Sequence, residues 1–148
     1  MFVYGGDAER LTRLDTVFVA DAYPGAGPVG GVLGALDHLA ATSPTGTDVA
    51  SMRVFVLACD LALVTAAELA ALLDAADTHP EPLVWVGSTS RLEPMCALWS
   101  MRARSDIAAA FESGERALHR IISGLDHVTV PLDDHALRNI NAPDDLPG

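Results

Sequence analysis

Arg53-Val54-Phe55-Val56-Leu57-Ala58-Cys59-Asp60 is the stretch on which the reading of this chain turns. Val54 to Ala58 are apolar without alternation, the pattern of a strand covered on both faces by helices in a parallel sheet. The run stops at Cys59-Asp60, which puts a carboxylate at the carboxyl end of what reads as a central strand. In open α/β sheets ligands bind at that edge.

Outward from this strand, β-rich runs alternate with helical patterns. Phe2 to Tyr4 and Thr16 to Ala20 read as strands, with a short helix over Ala8 to Leu14 capped by Asp7 between them. After Asp21 comes Pro24-Gly25-Ala26-Gly27-Pro28-Val29-Gly30-Gly31, a loop leading into a helix. Pro28 suits its first turn, and Val32, Leu33, Leu36 and Leu39 keep helical spacing to about Ala41. Ser43 to Ser51 is a surface loop. Thr65-Ala66-Ala67-Glu68 is a capping-box signature for a helix over Ala66 to Asp77. Strands are expected at Leu83 to Val86 and Pro94 to Trp99, joined by a turn. Helices follow at Ser105 to Glu112, capped by Ser105, and at Glu115 to Ser123, then a strand at His127 to Pro131. Leu137 to Leu146 begins one more helical turn. Strands separated by helices imply βαβ units, so the expected fold is a single-domain, three-layer α/β/α sandwich with a mostly parallel, Rossmann-like sheet.

Composition narrows the function. The 148 residues suffice for one domain that buries roughly 70% of its unfolded surface. Half are hydrophobic and mean hydropathy is +0.28, yet charged residues or glycine break every run short of the ~18 apolar residues a spanning helix needs. No basic segment or apolar leader opens the sequence, so a cytoplasmic location is expected. Net charge is −11 and all nine basic residues are Arg. A field of that sign repels nucleic-acid backbones, and an anionic small ligand would need a bound cation or a helix N-terminus to hold it. Cys59 and Cys96 read as buried free thiols. His38, His79, His119, His127 and His135 are scattered without metal-ligand spacing.

Three features could carry chemistry. The glycine loop from Asp21 to Gly31 would let backbone approach a ligand closely and would offer free N–H groups at a helix start; the alternative is a tight strand-to-helix connection. It is neither a Walker loop nor a dinucleotide fingerprint. Asp60 could ligate Mg²⁺ and neutralise phosphates, or be a turn residue capping the next helix. Asn139 and Asn141 could donate to ligand oxygens, or be turn formers.

Taken in order, Asp-x-x-Pro-Gly-x-Gly-Pro-x-Gly-Gly (Asp21 to Gly31), Leu-Ala-Cys-Asp-Leu (Leu57 to Leu61), Glu-Pro-Met-Cys-Ala-Leu-Trp (Glu93 to Trp99) and Asn-Ile-Asn-Ala-Pro-Asp-Asp-Leu (Asn139 to Leu146) resemble the molybdenum cofactor guanylyltransferase family. The resemblance implies the nucleotidyltransferase fold of nucleotide-sugar pyrophosphorylases. It implies transfer of GMP from Mg·GTP to the terminal phosphate of molybdopterin or the molybdenum cofactor, with release of pyrophosphate. Asp60 then matches the metal-binding aspartate, Asp21, Gly27 and Gly31 the guanine-nucleotide loop, and Asn139 and Asn141 a pair near the reacting phosphates. Mg²⁺ is the implied cofactor. GTP and molybdopterin are the implied partners, with molybdoenzyme-maturation proteins a further candidate.

The family's opening motif, Leu-x-Gly-Gly-x-Ser-x-Arg-Met-Gly-x-Asp-Lys, is not found in these residues. By the resemblance, Phe2 to Tyr4 match the family's second strand, and the first lies inside the sheet. Leaving it out is expected to expose strand edges and to remove positive charge that holds a triphosphate. Two alternatives therefore stand beside the transferase: a related enzyme using CTP or a sugar phosphate, and a non-catalytic module that self-associates or takes a partner's strand at the open sheet.

Overall fold

The computed structural model describes residues 1–5, 9, 16–142 and 144. Among them β1 (Phe2–Tyr4) and β2 (Val17–Val19) pair in parallel as a small separate sheet. A second sheet is ordered β3 (Arg53–Leu57), β5 (Leu92–Ser100), β4 (Val84–Ser88), β6 (His127–Pro131). Helices α1 (Gly27–Thr42), α2 (Ala66–Thr78), α3 (Arg104–Glu112) and α4 (Leu118–Gly124) flank it. The expected helix over Ala8 to Leu14, its Asp7 cap and most of Pro143 to Leu146 lie outside the described residues.

Side-chain alternation on the sheet divides the core into two layers. Val84, Val86, Ala97 and Trp99 point to one side, where Val29, Val32, Leu33 and Leu36 of α1, Ile107 of α3 and Ile121 and Ile122 of α4 meet them. Trp85, Cys96 and Leu98 point to the other, against Leu72 and Ala76 of α2, Val130 and Leu137. This is the three-layer sandwich the sequence implied. Leu36 and Leu72 are fully buried, one in each layer, and truncating either to Ala costs about 2–5 kcal/mol.

β3, β4 and β6 run one way and β5 runs against them, antiparallel to β3 and β4. Three residues, Thr89 to Arg91, separate β4 from β5, too few for a crossover, so the pair forms a hairpin. The capping box of α2 forms as expected: Thr65 Oγ1 accepts from the Ala67 amide at 3.2 Å, and Glu68 accepts from the Thr65 amide at 2.8 Å.

Several sequence readings are corrected. Among the described strands β3 lies at the edge of its sheet rather than at the centre; it is half-buried, and Leu57 is 41% exposed. The deeply buried strands are β4 and the second half of β5. Ser105 lies inside α3, whose N-cap position is Ala103. Glu115 to Ala117 are not helical. Instead Glu115 Oε1 accepts from the Arg116 and Ala117 amides, both at 2.8 Å, just before α4 begins. Cys59 is exposed, because it sits in the turn beyond β3 where no helix covers it; Cys96 is buried as expected.

Register shows which backbone groups β3 leaves unpaired. The Met101 amide bonds the Met52 carbonyl and the Ala58 amide bonds the Met95 carbonyl, so even-numbered residues of β3 face β5. Arg53, Phe55 and Leu57 therefore turn their N–H and C=O groups to the other edge. No described strand pairs with that edge.

Candidate functional site

The glycine loop is built from a turn and two close approaches. In Tyr23-Pro24-Gly25-Ala26 the Ala26 amide bonds the Tyr23 carbonyl at 3.0 Å, and Gly25 has φ +77°. A type II turn requires a positive φ at its third residue, which Gly25 supplies, and favours proline before it. Asp21 Oδ1 accepts from the Tyr23 amide at 2.8 Å, and the Tyr4 hydroxyl accepts from the Ala22 amide at 2.6 Å, tying the loop to β1.

The glycines of α1 differ in what they do. A Cβ on Gly30 would lie 2.6 Å from Ala26 Cβ and 2.9 Å from Tyr23 Cβ, and one on Gly34 would overlap the Tyr4 ring. These two, one helical turn apart, let the loop and β1 press against α1. A Cβ on Gly31 would meet nothing within 4 Å, nor would one on Gly27, although Gly27 needs φ +66°. Gly31, in helical conformation, thus costs helix stability without any packing requirement from the described residues.

Tyr23 carries the loop's strongest side-chain anchor. Its hydroxyl donates to Asp37 Oδ2 at 2.7 Å, Arg104 Nε donates to Asp37 Oδ1, and its ring stands edge-on to Phe111 with centroids 5.2 Å apart. The hydrogen bond to the carboxylate, reinforced by burial, pushes the Tyr23 phenol above its ordinary pKa. The sequence reading missed Tyr4, Tyr23, Asp37 and Arg104. A signal was present in Gly30 and Gly34, whose four-residue spacing marks a helix face approached closely.

Asp60 sits in the turn after β3 and is half-buried. Its carbonyl accepts from the Ile140 amide at 2.8 Å, so the segment bearing Asn139 and Asn141, both exposed, is fastened to the end of β3. α1 ends where β3 starts, since Ser43 Oγ lies 3.8 Å from Met52 Sδ. From there the helix packs on the sheet through Val29, Val32, Leu33 and Leu36. Asp21 and Gly27 are exposed on the glycine loop.

Electrostatics elsewhere are local. Thr65, through its hydroxyl and amide, holds the Glu68 carboxyl below the usual range. Burial, with the nearby Glu68 and Glu93 charges, pushes the Cys96 thiol up to about 11. Among the described residues no three His, Cys, Asp or Glu side chains gather as a metal cage. A depression of about 370 Å³ opens at the far end of β3, lined by Asp48, Arg53, Glu81, Ser100 and Arg102. It makes a poor anion site: Arg53 pairs with Asp77 at 3.0 Å, and Arg102 donates to the Glu81 carbonyl at 2.6 Å.

Comparison with known proteins bears on this arrangement. The family described as MobA-like NTP transferase domain matches residues 1–130. A Rhodopirellula baltica protein named "Probable molybdenum cofactor guanylyltransferase" is 30% identical over 128 residues, 85% of this chain and 57% of its own length. The "Molybdenum cofactor guanylyltransferase" of Rhizobium johnstonii is 32% identical over 142 residues, 89% of this chain and 65% of that protein. The chain thus spans about three-fifths of these relatives. The structure of molybdopterin-guanine dinucleotide biosynthesis protein A from Archaeoglobus fulgidus superposes with TM-score 0.72 at 23% identity, over 96% of this chain and 72% of that one. An Aquifex aeolicus protein gives TM-score 0.76 at 20% identity, over 95% and 70%. At those identities the likeness concerns the fold.

Proposed function

Because the chain belongs to the MobA-like NTP transferase family, we propose that it serves guanylyl transfer, in which GMP passes from Mg·GTP to the terminal phosphate of molybdopterin or the molybdenum cofactor. A phosphate oxygen of the acceptor bonds to the α-phosphorus of GTP. The bond from that phosphorus to the bridging oxygen of the β-phosphate breaks, and pyrophosphate leaves with the electron pair. Such a transfer depends on alignment and charge neutralisation rather than on a covalent enzyme intermediate.

The observation that carries the proposal is the 2.8 Å bond from Ile140 N–H to Asp60 C=O. It fastens the asparagine segment to the backbone of Asp60, the residue whose carboxylate stands at the end of β3. In this reading Asp21, Gly27 and Gly31 border the nucleotide, with the open face of Gly31 leaving room for it. Asp60 would hold Mg²⁺, and Asn139 and Asn141 would donate to phosphate oxygens. A single carboxylate suits Mg²⁺, which fills the rest of its octahedron with water and substrate phosphates. When bound, Mg²⁺ supplies charge neutralisation to the phosphates. Calorimetric titration with Mg·GTP tests the reading on this chain. Saturable binding that Asp60→Asn weakens at unchanged stability supports it; no heat up to millimolar nucleotide sinks it. Tighter binding of CTP would move the assignment to a related transferase.

A second reading rests on the edge of β3 that no described strand pairs with. Arg53, Phe55 and Leu57 present backbone donors and acceptors there, next to the exposed Leu57 side chain. Such an edge favours association through an added strand, and light scattering distinguishes a monomer from an associated form.

A further inference from the structure

We propose that Asp37 and Arg104 are positioning residues for the glycine loop, acting on it through the hydroxyl of Tyr23. The proposal rests on the reading that this loop borders the nucleotide, and adds residues on α1 and α3 that set its shape.

Three elements meet at one carboxylate. Asp37, about three turns into α1, accepts from Tyr23 with one oxygen and from Arg104 with the other. Arg104 opens α3, where a cation has the wrong sign for the helix dipole; Asp37 supplies the compensating charge. Its side chain is 28% exposed, so the pair is only partly screened by solvent. Tyr23 is also the first residue of the type II turn, whose closing bond runs from the Ala26 amide to the Tyr23 carbonyl. Fixing the Tyr23 side chain therefore fixes the start of the turn that sets Gly25 and leads into α1 at Gly27. The missing Cβ of Gly30 is what lets Tyr23 come so close to α1. Asp37 and Arg104 act on the loop through Tyr23.

Tyr23→Phe isolates the effect, since it keeps the ring against Phe111 and leaves the Asp37–Arg104 pair in place. Hydrogen exchange on the full chain should show the Ala26 amide exchanging about tenfold faster in Tyr23→Phe and Asp37→Ala, the size of one net hydrogen bond. Amides of β4 and β5 should stay unchanged. Arg104→Gln should give a smaller rise, and Arg104→Lys should restore most of the protection. In calorimetry Tyr23→Phe should weaken Mg·GTP binding severalfold. Exchange at Ala26 within twofold of the parent, or a rise shared equally by β4 and β5, overturns the proposal. Unchanged nucleotide affinity in a variant whose parent binds overturns it too. A parent chain that binds no Mg·GTP overturns instead the nucleotide reading on which the proposal rests, while the exchange data still report whether Tyr23 orders the loop.

Discussion

The amide of Ile140 and the carbonyl of Asp60 are joined by a 2.8 Å hydrogen bond across 80 residues of chain. It couples the last described segment to the turn after β3 and brings the asparagines of one motif to the aspartate of another. Ile140→Pro removes the donor and leaves a half-buried carbonyl without its partner. The expected loss is about 1–3 kcal/mol, read from urea unfolding. Under the proposed function Mg·GTP binding weakens as well, while the rest of the sheet is unaffected.

Two neighbouring glycines should respond in opposite directions. Gly30→Ala drives a methyl to 2.6 Å from Ala26 Cβ and 2.9 Å from Tyr23 Cβ. Overpacking of that kind costs about 1–3 kcal/mol, which outweighs the helix propensity gained. Gly31→Ala meets nothing within 4 Å and should gain up to about 1 kcal/mol. If the loop borders a nucleotide, the stabilised Gly31→Ala variant binds it less well. Thermal unfolding of both, with calorimetry on the second, checks the pair.

Thr65→Ala removes the acceptor for the Ala67 amide and one partner of Glu68. Loss of such a cap costs about 1 kcal/mol. The cost should depend on pH. Glu68 has a folded pKa below its ordinary value because it accepts from the Thr65 hydroxyl and amide. Its contribution is therefore complete above the ordinary carboxylate pKa and is lost as pH falls through the lowered folded value. Measured from neutral pH down into the acid range, the gap between parent and variant should narrow toward what the Thr65–Ala67 cap bond alone contributes.

Thiol reactivity separates the two cysteines. Cys59 is exposed, whereas Cys96 is buried with its thiol pushed up to about 11. Because the thiolate is the reactive species, a disulfide reagent at pH 8 should modify one thiol in the native protein and a second only after denaturation. Cys59→Ser should abolish the fast phase.

Leu57→Lys addresses the β3 edge directly. A charged side chain there discourages strand addition, and the position is already 41% exposed. Any self-association seen by light scattering should fall in the variant with little change in unfolding midpoint.

What the sequence determined by itself was local or periodic. The Thr65-to-Glu68 cap, α1 beginning beside Pro28, the run of β6 and the alternation of strands with helices all depend on residues within a few positions of one another. Near-neighbour propensities and the apolar period suffice for them. The four ordered motifs likewise carried the resemblance to the family, because a motif is residue order along the chain. Tertiary structure alone decided the rest, because it depends on which distant segment lies alongside. The apolar run of β3 looked central, yet a strand becomes an edge when no neighbour pairs with it, and its own residues do not record that. Cys59 and Cys96 each adjoin an apolar run, yet Cys96 is buried in the layer with Leu72 and Ala76 of α2 and Cys59 is exposed. The carboxylate holding the glycine loop's tyrosine is shared with an arginine 67 residues away, a contact made by the packing of α3 against α1 and by nothing written beside either residue.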